Sequence, residues 1–421
     1  MLKLHRLVHG MSHCLHRHAP ARRSAVLAGR ADLATLWSDR SGCPVPSAAL
    51  SVISPFQYNP GDDPSVVTYL QGLKQGDRPG TYLLVGANNS PGPTPQGLVY
   101  QGPLDAISRD GVSGSGQWSV VAAPQRFRAA GTSVYGPDNL GDGQADLVGA
   151  VTRNLGSDAP TPRNPAVVGF TYSGPVDGSD RSGWRRVQGR TQAGTKGTYT
   201  FVHSVDGGLA VGNSDNADVD EITDYFSLSS TAFIVDLETG QQTKIRFPDD
   251  RNPLVTHTAY GIWSNGGSSY TIAGGTGEVL QPGSDQVELG AGYLIDYDAV
   301  TGRFSNYTTF PYRNRERTDL ISHFEGIYRT PEGDYRLPAT AVAANALGDF
   351  SVASVVTVKR NRQGDFRERA RWQDLTITRS SDGVQSVLST ANSLYGDAVV
   401  GFANYPDGNG GLTPLDFVAQ L

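Results

Sequence analysis

The stretch HTAYGIWSNGGSSYTIAGG (257–275), followed after a polar interval by GYLIDYDAVTGRFSNYTTF (292–310), contains one whole structural unit. HTAYGIWS reads as an apolar-rich strand, and NGG (265–267) as a hairpin turn, because Asn and Gly tolerate positive φ. SSYTIAGG (268–275) supplies a second strand and GYLIDY (292–297) a third. After DAVTG, whose Gly302 suits a turn, FSNYTTF (304–310) supplies the fourth.

The same unit recurs along the 421 residues. A small residue follows an apolar run at Gly86, Gly149, Gly212, Gly274, Ala339 and Gly401, in steps of 63, 63, 62, 65 and 62 residues. Third strands recur as GLVYQG (97–102), VVGFTY (167–172), TAFIVDL (231–237), ASVVTV (353–358) and LDFVAQ (415–420). Fourth strands recur as QWSVV (117–121), GWRRV (183–187), KIRF (244–247) and RWQDL (371–375). Six equal units of four strands predict an all-β, six-bladed β-propeller over residues 48–421, with long surface loops, since the step exceeds the ~40–50 residues usual for a blade. Trp118, Trp184 and Trp372 hold matching places and are expected between adjacent blades. The sixth unit shows only three strands, whereas AALSVIS (48–54) is a strand without a hairpin partner. Pairing the two closes the ring and removes an exposed edge.

Residues 1–47 read as a separate basic extension and linker. Residues 1–31 hold six Lys or Arg and no acid, which against a chain total of −6 leaves the remainder at −12. Binding of nucleic acid by the body is therefore not expected. His5, His9, His13, His16 and His18 cluster in this extension, which lacks the apolar core of a clean secretory peptide and shares features with twin-arginine and organelle-targeting leaders. Both cysteines and both methionines fall in the first 43 residues. A body free of sulfur suits a secreted or periplasmic protein and excludes thiolate chemistry there. No apolar run reaches the ~18–20 residues of a membrane span, and a monomer is expected.

Because inner strands line a propeller's channel, they are the first place to seek a site. Aligned on a glycine, four of them read TSVYG (132–136), TAYGI (258–262), HFEGI (323–327) and NSLYG (392–396), with Tyr135, Tyr260, Glu325 and Tyr395 before the glycine. A carboxylate where the repeat accepts Tyr needs its own reason. His323 shares the face of Glu325 by strand alternation, and His203 and His257 lie near the starts of neighbouring inner strands. The functional reading makes Glu325 and His323 a general base or metal site, with Tyr260 and Tyr395 as partners. Tyr135, His203, His257 and Arg329, with Tyr328, would then shape a pocket for a small molecule, a glycan or a protein. The competing reading is that these groups hold the blades in register.

A second motif is Asp138-Asn139-Leu140-Gly141-Asp142-Gly143-Gln144-Ala145-Asp146-Leu147. It resembles the FG-GAP type of calcium loop, D-x-N-x-D-G-x-x-D-L, with Asp138, Asp142 and Asp146 matching and Leu140 where an oxygen ligand belongs. The resemblance implies calcium in a structural role. The loop 213–221 is also rich in oxygen ligands, and Asn88-Asn89-Ser90 and Asn306-Tyr307-Thr308 match the glycosylation pattern. GIWSNGGSSYTIAGG with GYLIDYDAVTGRFSNYT is similar to bacterial extracellular repeat propellers, a likeness of fold. HFEGIY (323–328) resembles the propeller part of cyanobacterial enzymes that join resorcinol rings to alkyl halides. That resemblance implies an alkylating enzyme with channel-mouth carboxylate, Tyr and Arg residues, set beside the alternatives of a hydrolase or lyase and of a purely binding propeller.

Overall fold

The computed structural model describes residues 48–49, 51–56, 58, 66–89, 95–106, 116–191, 194–215, 231–249, 252, 255–279, 287–316, 320–343, 351–379, 382–408 and 411–421. The basic extension of 1–47 and most of the acidic loop 213–221 lie outside them. The described strands form six four-stranded antiparallel units, a six-bladed propeller.

A short β1 (Ala48–Ala49) and β2 (Ser51–Phe56) precede the blades. Blade one is β3 to β6 (Thr68–Gln75, Tyr82–Asn88, Gln96–Gly102, Gln117–Val121). Blade two is β7 to β10 (Ala129–Gly141, Gln144–Arg153, Val167–Pro175, Trp184–Val187). Blade three is β11 to β14 (Tyr199–Asp206, Leu209–Asp215, Thr231–Asp236, Gln242–Lys244). Blade four is β15 to β18 (Val255–Gly266, Ser269–Val279, Val287–Asp298, Arg303–Phe310). Blade five is β19 to β23 (Leu320–Phe324, Tyr328–Arg329, Tyr335–Ala343, Ser351–Val358, Arg371–Thr376), its inner strand being split in two. Blade six is β24 to β26 (Leu388–Tyr395, Ala398–Pro406, Leu412–Gln420).

β2 runs antiparallel to β26 as the outer strand of blade six, so the ring closes as the repeat requires. The segment read as one strand over 48–54 is divided, however. Ala48 and Ala49 pair in parallel with Leu375 and Thr376 of blade five, and the clasp therefore grips two blades.

Each seam between blades has its own apolar core. Leu83, Val85 and Val99 of blade one meet Val134, Leu147 and Trp184 of blade two, and Leu294 and Phe310 of blade four meet Leu337, Val356 and Trp372 of blade five. Trp118 joins Leu70 and Leu84 to Ala398, Val400 and Val418 across the closing seam. The three tryptophans thus sit between blades, where a large ring buries the most area. The seam between blades four and five adds an Arg360 fork on Asp296, with nitrogen to oxygen distances of 2.6 and 2.9 Å. This bidentate geometry is the stronger kind of ion pair.

One seam position departs from its repeat. Gly97, Gly169, Ala232, Gly292 and Ala353 occupy it in the first five blades, opposite the residue that follows the repeated small residue. In blade six the residue is Asp416, which is 1% exposed. Its Oδ1 accepts a hydrogen bond from the Leu70 N–H across the closing seam at 3.2 Å, whereas Oδ2 has no partner among the described residues. Burial drives this carboxyl well above its ordinary range. Burial and the Asp416 charge together push the nearby Tyr69 phenol up to about 12.

Candidate functional site

A β-bulge recurs at one place in the inner strands. The pairing register slips between Leu70 and Gly72, Val134 and Gly136, Val202 and Ser204, Ala259 and Gly261, and Ala391 and Ser393. The residues left over are Gln71, Tyr135, His203, Tyr260 and Asn392. In blade five Phe324 pairs with Ala339 and Tyr328 with Arg336, while Glu325 N–H donates to Pro338 O at 2.8 Å, so Glu325 holds the corresponding place. A bulge re-aims the side chain it inserts. Here it delivers one side chain per blade.

The repeated small residues explain why the bulge is always there. A Cβ added at Gly86, Gly149, Gly212, Gly274 or Gly401 would lie 2.1, 2.0, 2.0, 1.9 or 2.0 Å from the carbonyl oxygen of Tyr69, Ser133, Phe201, Thr258 or Thr390. Each carbonyl belongs to the residue two before the bulged one, folded down onto the second strand where only glycine leaves room. Blade five has Ala339 in this place, and its inner strand leaves the sheet after Phe324 and rejoins it at Tyr328.

The residue after each bulge faces the next blade. A Cβ at Gly72 would lie 2.4 Å from Tyr135 O, and one at Gly136 would lie 2.7 Å from His203 O. Where serine replaces glycine its hydroxyl accepts a hydrogen bond instead. Ser204 Oγ receives Ile262 N–H at 3.3 Å, and Ser393 Oγ receives Leu73 N–H at 3.1 Å. The inner strands are therefore fastened to one another at the bulge.

The delivered side chains touch around the ring. The rings of Tyr135 and His203 stack at 5.4 Å, those of His203 and Tyr260 meet edge to face at 4.5 Å, and those of Tyr260 and His323 lie 5.6 Å apart. His323 Nε2 is 2.5 Å from Glu325 Oε1, a short contact between a side chain 4% exposed and one 17% exposed. The imidazole lies behind the carboxylate, and its Nδ1 is buried without a partner among the described residues. His203 Nε2 is 2.8 Å from Asn213 Oδ1. On the other side of the ring Asn392 Nδ2 donates to Leu70 O at 2.7 Å and Asn392 Oδ1 accepts from Thr390 Oγ1 at 2.9 Å, while the Gln71 Nε2 amide is buried without a partner among the described residues. Burial raises the Tyr135 phenol far above its usual range, so it stays a neutral donor.

At the hairpin ends of the inner strands a different set of side chains crosses the channel. Lys74 of blade one reaches Asp206 of blade three at 2.7 Å and lies 4.8 Å over the Trp263 ring of blade four. Trp263 meets Tyr328 edge to face at 5.4 Å, Tyr328 packs on Tyr395 at 4.8 Å, and Tyr395 O–H donates to Gln75 Oε1 at 2.9 Å. Contacts between blades one and four, opposite one another in a ring of six, span the axis. They form a brace there.

The structure thus gathers Glu325, His323, Tyr260, His203 and Tyr135 and separates the remaining candidates from them. Tyr395 belongs to the brace. The glycine that aligned it with Tyr135, Gly396, is a turn residue at φ 61°, and the true counterpart of Tyr135 in blade six is Asn392. His257 faces the opposite way, stacked 3.7 Å on Phe247 with its Nε2 3.2 Å from Asp249 Oδ1 and 3.3 Å from Tyr307 O–H. Burial works against the Asp249 charge, but the His257 contact holds its carboxyl below the ordinary range. Arg329 lies 6.0 Å from the Tyr335 ring at the start of the next strand, away from Glu325. Gln71 and Asn392 are ring members that the glycine alignment passed over.

Residues 138–147 form a β-hairpin. Asp138 pairs directly with Asp146, and Asp142 sits exposed in the turn at φ 53°. Asp138 Oδ2 accepts Gly207 N–H at 2.9 Å, and Asp146 accepts the Ser173 hydroxyl. Burial raises both carboxyls above their usual range. Among the described residues no three His, Cys, Asp or Glu converge as a metal-holding group. The Asn88 amide donates to Tyr58 O and Thr68 Oγ1 and the Asn306 amide to Asp296, so both glycosylation patterns are engaged inside the fold. Among the described residues no helix is long and apolar enough to cross a membrane.

No family model and no curated protein matches the chain, so the resemblances drawn from 138–147 and from HFEGIY stand on those residues alone. Solved structures are similar at low identity. An ulvan lyase from a new family of polysaccharide lyases is 12% identical over 83% of this chain and 86% of its own, with a TM-score of 0.42. An α-L-arabinanase of Penicillium chrysogenum, solved with arabinobiose, is 11% identical over 88% and 98%, with a TM-score of 0.43. A Dyadobacter fermentans protein of unknown function is 9% identical over 89% and 99%, with a TM-score of 0.34. At this level neither substrate nor site residues pass from those proteins to this one.

Proposed function

We propose that the protein is an exported, monomeric propeller that binds a glycan or another small hydroxylated molecule at the channel mouth opposite the brace, and that His323 and Glu325 handle a proton on that ligand in a hydrolase or lyase reaction. The observation that carries this reading is the ring of bulge residues. Gln71, Tyr135, His203, Tyr260, Glu325 and Asn392 can all hydrogen-bond, and none is aliphatic. A channel filled only to hold blades in register would favour apolar side chains, because an unpaired buried polar atom such as Gln71 Nε2 costs stability. Aromatic faces beside hydrogen-bonding groups suit a sugar ring.

The chemistry follows from the pair. Glu325 is the partly exposed member, so it can take a proton from water or from a ligand carbon or hydroxyl, and His323 can share that proton across 2.5 Å. Turnover of a panel of neutral and acidic oligosaccharides, read as new reducing ends and as ultraviolet absorbance of an unsaturated product, tests the reading. Glu325→Gln is expected to lower turnover by about 10²–10⁴-fold while calorimetric binding changes less. Equal turnover by the two proteins overturns the catalytic part, and absence of binding by both overturns the whole.

A further inference from the structure

A second region of the molecule carries a charge pattern that the channel does not use. Between the outer edges of blades two and three lies a cleft of about 660 Å³. One wall presents Arg186 of β10 and then Gln188, Arg190 and Lys196 from the segment leading into blade three; the other presents Gln242 and Lys244 of β14. Among the described residues no carboxylate lines it. This is a concentration of positive charge on a body whose net charge is −12.

The local geometry sharpens the point. Arg190 and Lys196 are direct cross-strand partners in an isolated bridge, an arrangement in which like charges destabilise the pairing. Partial burial lowers the Arg186 guanidinium below its usual range, and the positive charge of Arg153 lowers it further. The side-chain contacts that Arg186 and Arg190 make are with neutral oxygens, Gln188 Oε1 at 3.5 Å and Gly194 O at 2.8 Å. Cations set against one another around an open volume are favourable when an anion occupies it.

We propose that this cleft binds an anionic polysaccharide through its carboxylate or sulfate groups. Arg190 and Lys196 grip one charged group between them, and Arg186 meets the next along the chain. Nucleic acid fits less well. Its charge density of about one per 1.7 Å would face a strongly negative body. The one aromatic ring in the lining, Phe233, is 3% exposed and offers no stacking face. The cleft is on the outer flank, so its assignment is independent of the channel reading.

The test is calorimetric titration of the whole protein with polygalacturonate, dextran sulfate, uncharged dextran and a short DNA duplex at low and at physiological salt. Binding of both acidic saccharides but not dextran is expected, weakening with salt. The double variant Arg190→Gln with Lys196→Gln is expected to lose tenfold or more in affinity, with a melting temperature equal to or above that of the parent because the like-charge pair is gone. A control pair on blade five, Arg367→Gln with Arg371→Gln, is expected to bind as the parent does. Should the double variant fold poorly, Arg186→Gln alone is expected to lose about threefold. Equal affinity of cleft and control variants overturns the proposal, as does tighter binding of DNA than of either saccharide.

Discussion

Blades four and five have the same four-stranded plan and differ by one methyl group at the position that matters. In blade four the inner strand runs unbroken through Val255–Gly266, and its bulge lowers Thr258 O onto Gly274. In blade five the equivalent residue is Ala339, and the inner strand is parted between Phe324 and Tyr328. The closed bulge delivers Tyr260, which packs between two histidines; the open one delivers Glu325, the only carboxylate in the ring and, with Gln71, a partly exposed member. A scaffold that forbids a side chain on the second strand thereby controls what the first strand can present. In blade five that prohibition is relaxed, and the residue in the bulge position is a carboxylate.

Gly274→Ala puts this lesson under the most stress. The new methyl would meet a backbone oxygen, which no side-chain rotation can relieve, so the bulge must open as it does in blade five. A loss of roughly 3 kcal/mol or more in denaturant titration is expected. A loss below about 1 kcal/mol would show that glycine is not what sets the bulge.

Asp416 offers a second exception to set beside the first, since the same seam position is Gly292 in blade four and Ala353 in blade five. Its carboxyl is raised in the folded state, so the folded protein holds a proton that the unfolded chain releases. The contribution is therefore most favourable below the unfolded value near pH 4 and is lost as pH rises toward the folded one. Asp416→Asn keeps an acceptor for Leu70 N–H and removes the titration. It is expected to flatten the dependence of melting temperature on pH, with a gain of about 1–3 kcal/mol near pH 8. An unchanged pH profile would mean that the raised carboxyl does not weaken the closing seam.

Ala339→Gly restores the consensus in blade five and has the smallest expected effect on stability, within about 1 kcal/mol. With the methyl gone the inner strand can settle back onto the sheet and close the bulge, giving Glu325 the packed position that Tyr260 holds in blade four. Turnover or ligand affinity is then expected to fall toward that of Glu325→Gln while the melting temperature barely moves. Full retention of activity would uncouple the open bulge from the site.

The blade count was legible because a carbonyl pressed onto a strand admits only the smallest residues, and such a constraint leaves a mark at each of Gly86, Gly149, Gly212, Gly274 and Gly401. The clasp was legible too, as a strand lacking a partner, although its division between two blades was not. The site was legible in blades two and four, where the inner hairpins are long and the bulge residue is Tyr, but not in blade one, where Gln71 stands 15 residues before Gly86. Tyr135 precedes Gly149 by 14 residues and Tyr260 precedes Gly274 by the same number, but His203 precedes Gly212, and Asn392 precedes Gly401, by only 9. In these shorter hairpins the turn glycine comes early, so Tyr395-Gly396 imitates the Tyr-Gly pair of the bulge. Ser204 and Ser393 compound the disguise, since they replace the marker glycine with a hydroxyl that bonds the next blade. The pairing of Lys74 with Asp206 across the axis leaves no pattern in the chain at all, because it depends on two hairpin ends meeting through space.

The clasp has a consequence in time. Ser51 and Gln420 are direct partners, so the strand that closes the ring emerges from the ribosome some 370 residues before the strand it must find. At roughly 5–20 residues per second, that is about 20–70 s during which β2 has no native partner and each finished blade waits beside an open edge. Until synthesis reaches β26 the ring cannot lock, and the order of synthesis makes closure the last step of folding.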